Sequence, residues 1–226
     1  MTARATSAPS TAPTGRALAR ASAACGVTFL LLAVLVSTGW STLVRFDDRW
    51  SARAYGFTVN HRWCQVLAEA ATWMGATSTL TVLTSLVVLG CLLTHRLPLG
   101  LWLAVTVAGS ALLNSLVKLG MERIRPPSAG VLISAHGFAF PSGHTQGATS
   151  TYTAVVLVVG WQVWRPRRRG RQVTAVAVTL LVGAVGLSRL LLGVHWPTDV
   201  LGGWLLGSTC VLAATAAFPA CREPVS

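Results

Sequence analysis

Gly137-Phe138-Ala139-Phe140-Pro141-Ser142-Gly143-His144-Thr145 is the stretch on which the reading of this chain turns. It lies between two long apolar segments and carries almost nothing hydrophobic after Phe140. Ser142 is a favoured helix N-cap residue, and Gly143 lets a ligand approach the backbone closely. The apolar run from Ala148 onward reads as the helix being capped. A helix N-terminus offers N–H groups with no intrahelical acceptor. With a hydroxyl and a histidine beside them, those groups form a natural phosphate cradle. A capped helix beside a histidine needs no ligand, however, so the meaning of the stretch depends on its flanks.

Those flanks have the composition of a membrane protein. Of 226 residues, 53% are apolar and 11% charged, with a mean hydropathy of +0.60. Soluble domains carry about a quarter charged residues. The acids are Asp47, Asp48, Glu69, Glu122, Asp199 and Glu223. A net charge of +12 would suit nucleic acid, but the basic residues sit between apolar runs rather than on one polar face. Membrane topology accounts for them, and no nucleic-acid partner is expected. Cys25, Cys64, Cys91, Cys210 and Cys221 form no CxxC pair and no metal-ligand spacing, so neither a disulfide framework nor a metal site is expected.

Residues 1–16, rich in Ala, Thr, Ser and Pro, are expected to be disordered. Ala21 to Val44 carries no charge for 24 residues, which is long enough to cross a bilayer and too long for the apolar part of a signal peptide. From Arg45 to Glu69, Phe46, Trp50, Ala54 and Phe57 recur at helical spacing among charges. This suits an interfacial amphipathic helix or a solvated loop. Further spans are expected at 77–94, 99–117, 145–164, 172–188 and 200–218.

The expected fold is therefore all-α, a six-transmembrane-helix bundle over residues 17–218, followed by a short cytoplasmic tail at 219–226. Six crossings put both termini on one side, together with Arg96 and the Arg165–Arg171 cluster. The positive-inside rule makes that side cytoplasmic, although the arginines between 45 and 62 oppose it. The plasma (inner) membrane is the expected location. Trp40, Trp102, Trp161, Trp164 and Trp196 fall near span ends, as an aromatic belt would.

Three polar segments then share the outer face: Lys118 to Pro126, Pro141 to His144, and Arg189 to Asp199. Lys118, Arg125 and Arg189 are cations at span ends. Each alone could snorkel or anchor a helix, but three converging without matching carboxylates call for an anion. Phosphate fits, with arginine giving bidentate contacts and lysine a point charge. Lys118 is the single lysine among 18 basic residues. His195 and Asp199 stand four apart beside Pro197, either as a structural hydrogen bond or as a carboxylate fixing an imidazole tautomer. In the second case the other ring nitrogen is left as a nucleophile. His144, on a different helix, would face it as a proton donor.

Lys118-x6-Arg125-Pro126, Pro141-Ser142-Gly143-His144 and Ser188-Arg189-x5-His195-x3-Asp199 together resemble the three signature motifs of the type 2 phosphatidic acid phosphatase (PAP2) family. That superfamily also includes vanadium haloperoxidases, a function ill suited to a multi-span chain. The resemblance implies an integral-membrane lipid phosphatase whose substrate is a lipid phosphomonoester or diphosphate. It implies that Lys118, Arg125, Ser142, Gly143 and Arg189 hold the phosphate. His195 would attack phosphorus to form a phosphohistidine, Asp199 would orient His195, and His144 would protonate the leaving group. It implies no metal and no other cofactor, and release of inorganic phosphate at the outer face.

Alternatives are an undecaprenyl-diphosphate-specific phosphatase, a lipid phosphotransferase, and a non-catalytic lipid-phosphate-binding protein or transporter. A transporter would show inverted repeats or interrupted spans, and neither is visible in the sequence. Glu122 is expected to pair with Arg123 or Arg125. His61, His95 and His136 read as loop residues, with His136 near enough to the motif loop to meet a headgroup.

Overall fold

The computed structural model describes residues 14–160 and 168–218. The tails at 1–13 and 219–226, Trp161, Trp164 and residues 165–167 of the basic Arg165–Arg171 segment lie outside the described residues. Among those described, the regular structure is all helical, with eight helices and no strand. They are α1 (Gly15–Ser37), α2 (Ser41–Asn60), α3 (Arg62–Met74), α4 (Thr77–Leu93), α5 (Leu97–Met121), α6 (Gly143–Val159), α7 (Arg168–Leu191) and α8 (Pro197–Ala217).

The first helix starts where Thr14 Oγ1 accepts from Ala17 N at 3.3 Å, a side-chain N-cap. It stops at Ser37, and Gly39 turns the chain at φ +63°, a left-handed conformation cheap only for glycine. The uncharged run from Ala21 to Val44 is therefore not one span. It holds α1, a turn and the start of α2. Apolar composition says nothing about φ, so this break was invisible to a count of charges.

The amphipathic reading of residues 45–69 holds for α2, but its charged face is not all solvated: Asp47 is 1% exposed. A second helix, α3, follows at once and meets α4 at a 41° bend across Gly75 and Ala76. An interrupted helix pair is thus present where the sequence suggested none. Four helices, α1, α5, α7 and α8, are long and apolar enough to cross a membrane, and the bent α3–α4 pair makes a fifth candidate.

The exterior is apolar, unlike that of a soluble protein, and polar side chains share the interior with apolar ones. Thr106, Ser110, Asn114, Gln146, Thr149, Ser150 and Thr151 are buried, while Leu30, Leu86, Val105, Leu112 and Leu180 face outward. Lipid satisfies the outward apolar surface, and small or polar residues between helices supply close packing and hydrogen bonds. The chain is a multi-pass membrane protein.

At the centre lies α8, which packs against α1, α5, α6, α7 and α2. Its Gly203 and Gly207 form a small-xxx-small stripe on which α6 rests. A Cβ on Gly203 would stand 2.8 Å from the Ser142 carbonyl oxygen, and one on Gly207 would stand 2.8 Å from that of Gln146. Next to them, Gly202 faces the ring of Phe140, which is fully buried and stacked on Phe29 of α1 at 5.7 Å. On the α1 side, Ser22 Oγ donates to the Thr209 carbonyl at 2.9 Å. The glycine stripe thus seats the N-terminus of α6 directly on the first turns of α8.

Candidate active site

The site forms where the C-terminal ends of α5 and α7 meet the N-terminal ends of α6 and α8. Ser142 occupies the N-cap position of α6, as expected, but its hydroxyl does not cap a backbone N–H. It accepts instead from Thr145 Oγ1 at 3.0 Å, and the Ser142 amide donates to the Asp199 carbonyl at 2.9 Å. The first-turn amides of α6, beginning with Gly143, have no carbonyl within the helix to donate to. Gly143 opens toward Asn114 and Lys118: a Cβ there would lie 3.5 Å from Asn114 Oδ1 and 3.9 Å from Lys118 Cε.

Each cation is tied to backbone or hydroxyl oxygens. Lys118 Nζ donates to the Phe138 carbonyl at 2.6 Å. Arg125 donates from Nε to Gly137 O at 2.9 Å, from Nη2 to His136 O at 3.0 Å and from Nη1 to Val194 O at 2.8 Å. One guanidinium therefore holds the loop before α6 against the loop before α8. His136 takes part only through its carbonyl. Arg189, 4% exposed, donates to Thr72 Oγ1 of α3, and its Nε has no hydrogen-bond partner among the described residues.

Residues 192–194 pack under α3 against Ala68 and deliver His195, which is 1% exposed. Its Nδ1 lies 3.1 Å from Asp199 Oδ2, and its Nε2 lies 3.1 Å from Arg125 Nη1. This assigns the proton to Nδ1, donated to the carboxylate, and leaves the Nε2 lone pair toward the cations. Burial lowers the His195 pKa to about 4, and the hydrogen bond and charge of Asp199 oppose that fall. The ring is neutral at pH 7. Burial also lowers the Arg125 pKa, with Asp199 opposing it, and the guanidinium stays charged. His144, the second residue of α6, lies within electrostatic range of His195, Arg189, Arg125 and Lys118. All eight residues singled out from the sequence are thereby brought to one place.

Asp199 is fully buried and holds more than His195. Its Oδ2 also accepts from Trp196 N at 2.9 Å, closing the first turn of α8, and its Oδ1 accepts from Arg123 Nη1 at 2.6 Å. Arg123 Nη2 reaches Asp47 Oδ2 on α2 at 2.7 Å. Asp47 in turn accepts from Thr198 N at 3.1 Å and from Thr198 Oγ1 at 2.6 Å. Arg123 thus pairs with Asp47 and Asp199, not with Glu122, which is the left-handed C-cap of α5. Arg123, Asp47 and Thr198 were not singled out from the sequence. The one available signal was that Asp47 is among only six acids in the chain.

The arrangement can bind an anion between Lys118, Arg125, Arg189 and the first turn of α6, and can present a neutral imidazole nitrogen to it. Among the described residues, no cluster of three or more His, Cys, Asp or Glu side chains is arranged to hold a metal ion.

Known proteins share this plan. Residues 99–223 match the family model of the PAP2 superfamily. Phosphatidylglycerophosphatase B of Bacillus subtilis is 31% identical over 179 residues, spanning 79% of this chain and 85% of the relative. The decaprenylphosphoryl-5-phosphoribose phosphatase of Mycolicibacterium smegmatis is 38% identical over 109 residues, spanning 45% of this chain and about half (52%) of the relative. The crystal structure of a transmembrane PAP2-type phosphatidylglycerolphosphate phosphatase from Bacillus subtilis superposes with a TM-score of 0.78 at 26% identity. That match covers 86% of this chain and 94% of the other. A helical membrane scaffold that gathers three separated motifs onto one buried histidine, matched by a family model over more than half its length, belongs to the PAP2 superfamily.

Proposed function

We infer that this chain is a membrane lipid phosphatase of the PAP2 type, hydrolysing a lipid phosphomonoester or diphosphate through a phosphohistidine on His195. The observation that carries the reading is the buried His195–Asp199 contact with Arg125 on the free ring nitrogen. The Nε2 lone pair bonds to phosphorus as the bond from phosphorus to the leaving oxygen breaks. His144 gives its proton to that oxygen. Arg125 turns its N–H from Nε2 to a phosphate oxygen as phosphorus takes the lone pair. Lys118, Arg189 and the amides around Ser142 and Gly143 stabilise the equatorial charge. Water, deprotonated by His144, then attacks the phosphohistidine, so that inorganic phosphate leaves and His195 is restored. These cations and amides supply the stabilisation that a metal ion supplies elsewhere.

In this reading α1, α4, α5, α6, α7 and α8 are six crossings, and α2 with α3 covers the site. The 17 described residues of α6 fall within the range of about 17–25 for a spanning helix. Arg16, Arg20 and Arg96 belong to the end of the bundle away from His195, and in sequence Arg165–Arg171 joins them. Besides Lys118, Arg123, Arg125 and Arg189, which belong to the site itself, the site end has Arg45, Arg49, Arg53 and Arg62. The basic excess makes the far end cytoplasmic, with both termini there and the site facing outward from the plasma membrane. The headgroup reaches the site from the outer leaflet while its tails stay in lipid.

The test is phosphate release by detergent-purified protein in excess EDTA, from undecaprenyl diphosphate, phosphatidylglycerophosphate and phosphatidate, with His195→Ala as the blank. Release above the blank supports the assignment, and the preferred lipid gives the substrate class. Wild-type activity in His195→Ala would remove the phosphohistidine. If folded protein releases nothing from any lipid, acceptor alcohols are supplied to detect phosphoryl transfer, and lipid binding without turnover is measured.

A further inference from the structure

We propose that Asp47, on α2 and outside residues 99–223, is a positioning residue for His195 that acts through Arg123 and Asp199. The inference rests on the phosphohistidine reading above. Arg123 spends its two terminal nitrogens on two different carboxylates: Nη1 on Asp199 Oδ1 at 2.6 Å and Nη2 on Asp47 Oδ2 at 2.7 Å. The Asp47 and Asp199 side chains are 2% and 0% exposed. Asp47 also anchors both the amide and the hydroxyl of Thr198, the residue next to Asp199. One buried carboxylate on α2 therefore fixes the first turn of α8 twice over, by direct contact and through the guanidinium.

The charge count gives this geometry its consequence. A buried ion pair is a poor device for stability alone, because desolvating the ions offsets most of their attraction. Here a single guanidinium stands between two carboxylates, so the cluster carries one negative charge in excess. When Nε2 bonds to phosphorus, the His195 ring becomes a cation that keeps its proton on Nδ1. The excess charge then finds its partner one hydrogen bond away. Without Asp47, Arg123 would neutralise Asp199 and leave that cation with no compensating charge on its Nδ1 side. Facing His195 are Asp199 from α8, Arg125 from the loop before α6, Arg189 from α7 and His144 from α6. Lys118 on α5 faces Asp199 and His144. Every other side-chain charge in this set is positive or neutral, so among the side chains only the two aspartates favour the imidazolium.

The experiment compares Asp47→Asn, Asp47→Glu, His195→Ala and wild type, full length in detergent, on the lipid that wild type hydrolyses fastest. Asp47→Asn keeps size and hydrogen-bonding capacity but removes the charge. It is expected to lower kcat by about ten- to hundredfold with KM within about twofold, and to move the acid limb of kcat/KM to lower pH. Asp47→Glu is expected to recover part of kcat. Unchanged kcat in Asp47→Asn would overturn the proposal. So would a loss that follows only the folded fraction while the acid limb stays put. If Asp47→Asn does not fold, Arg123→Lys, which reaches one carboxylate at a time, is read the same way, and unchanged kcat in it overturns the proposal. Failure of the phosphohistidine reading is separately visible as activity in His195→Ala.

Discussion

Gly203 of α8 lies so close beneath Ser142 that a Cβ on it would sit 2.8 Å from the Ser142 carbonyl oxygen and 2.9 Å from Thr145 Cβ. Both obstacles belong to the first turn of α6, and one is backbone, so no rotamer change relieves them. Gly203→Ala must push the α6 N-terminus off α8, and with it the Ser142 amide that donates to the Asp199 carbonyl. Overpacking of this kind costs about 1–3 kcal/mol. The expected result is a lower unfolding temperature in detergent and at least a tenfold loss of phosphate release. Gly90→Ala, where nothing lies within 4 Å, serves as the control and is expected to match wild type. An active, stable Gly203→Ala would show that this contact does not set the site.

How much of this was legible in the sequence depended on distance along the chain. His195 and Asp199, one helical turn apart at the start of an apolar run, could be paired from spacing alone. Lys118, Arg125 and Arg189 were legible as span-end cations because hydropathy marks where spans end. Asp47 was not, because an acid on an amphipathic helix reads as solvated, and its partners Arg123 and Thr198 lie 76 and 151 residues away. Nor was the turn at Gly39 or the bend at Gly75, since both are backbone events inside runs without charge. The Ser142 reading was half right: the position is the N-cap, but burial beside Thr145 turns the hydroxyl away from the helix amides.

Lys118 is expected to resist replacement by arginine. Its ammonium donates to the Phe138 carbonyl at 2.6 Å, and its Cε would lie only 3.9 Å from a Cβ on Gly143. A planar guanidinium is wider, and its fork suits two acceptors rather than one carbonyl. Lys118→Arg should therefore keep the charge and the fold but lower kcat/KM by about tenfold or more. Lipid phosphatase assays beside thermal unfolding check this. Wild-type rates would mean that the single lysine carries no geometric requirement.

The His195 environment predicts a pH dependence of stability. Burial holds the folded-state pKa near 4, below the ordinary value of 6.5. Between those values the unfolded chain binds a proton that the native protein does not. Protonation therefore favours unfolding: the contribution is complete above about pH 6.5 and is lost as pH falls toward 4. The slope is at most about 1.4 kcal/mol per pH unit. Unfolding temperatures in detergent should drop between pH 6.5 and 5 in wild type and drop less in His195→Ala. Parallel curves for the two proteins would show that His195 does not titrate as its burial requires.

Gly75 has an ordinary right-handed backbone (φ −95°, ψ 0°), so a side chain there is not strained by conformation. It is blocked by neighbours: a Cβ would meet Val185 Cγ1 at 2.5 Å and both Cβ and the carbonyl oxygen of His144 at 3.3 Å. Val185 is fully buried and stiff at χ1, so it cannot simply swing aside. Gly75→Ala should therefore push α6 through His144 as well as loosen α7, costing about 1–3 kcal/mol and most of the activity. Val185→Ala removes the nearest obstacle, so the double variant Gly75→Ala/Val185→Ala should regain activity relative to Gly75→Ala even though Val185→Ala alone leaves a cavity. Such a rescue would tie His144 to the α3–α4 bend. Full activity in Gly75→Ala alone would break that tie.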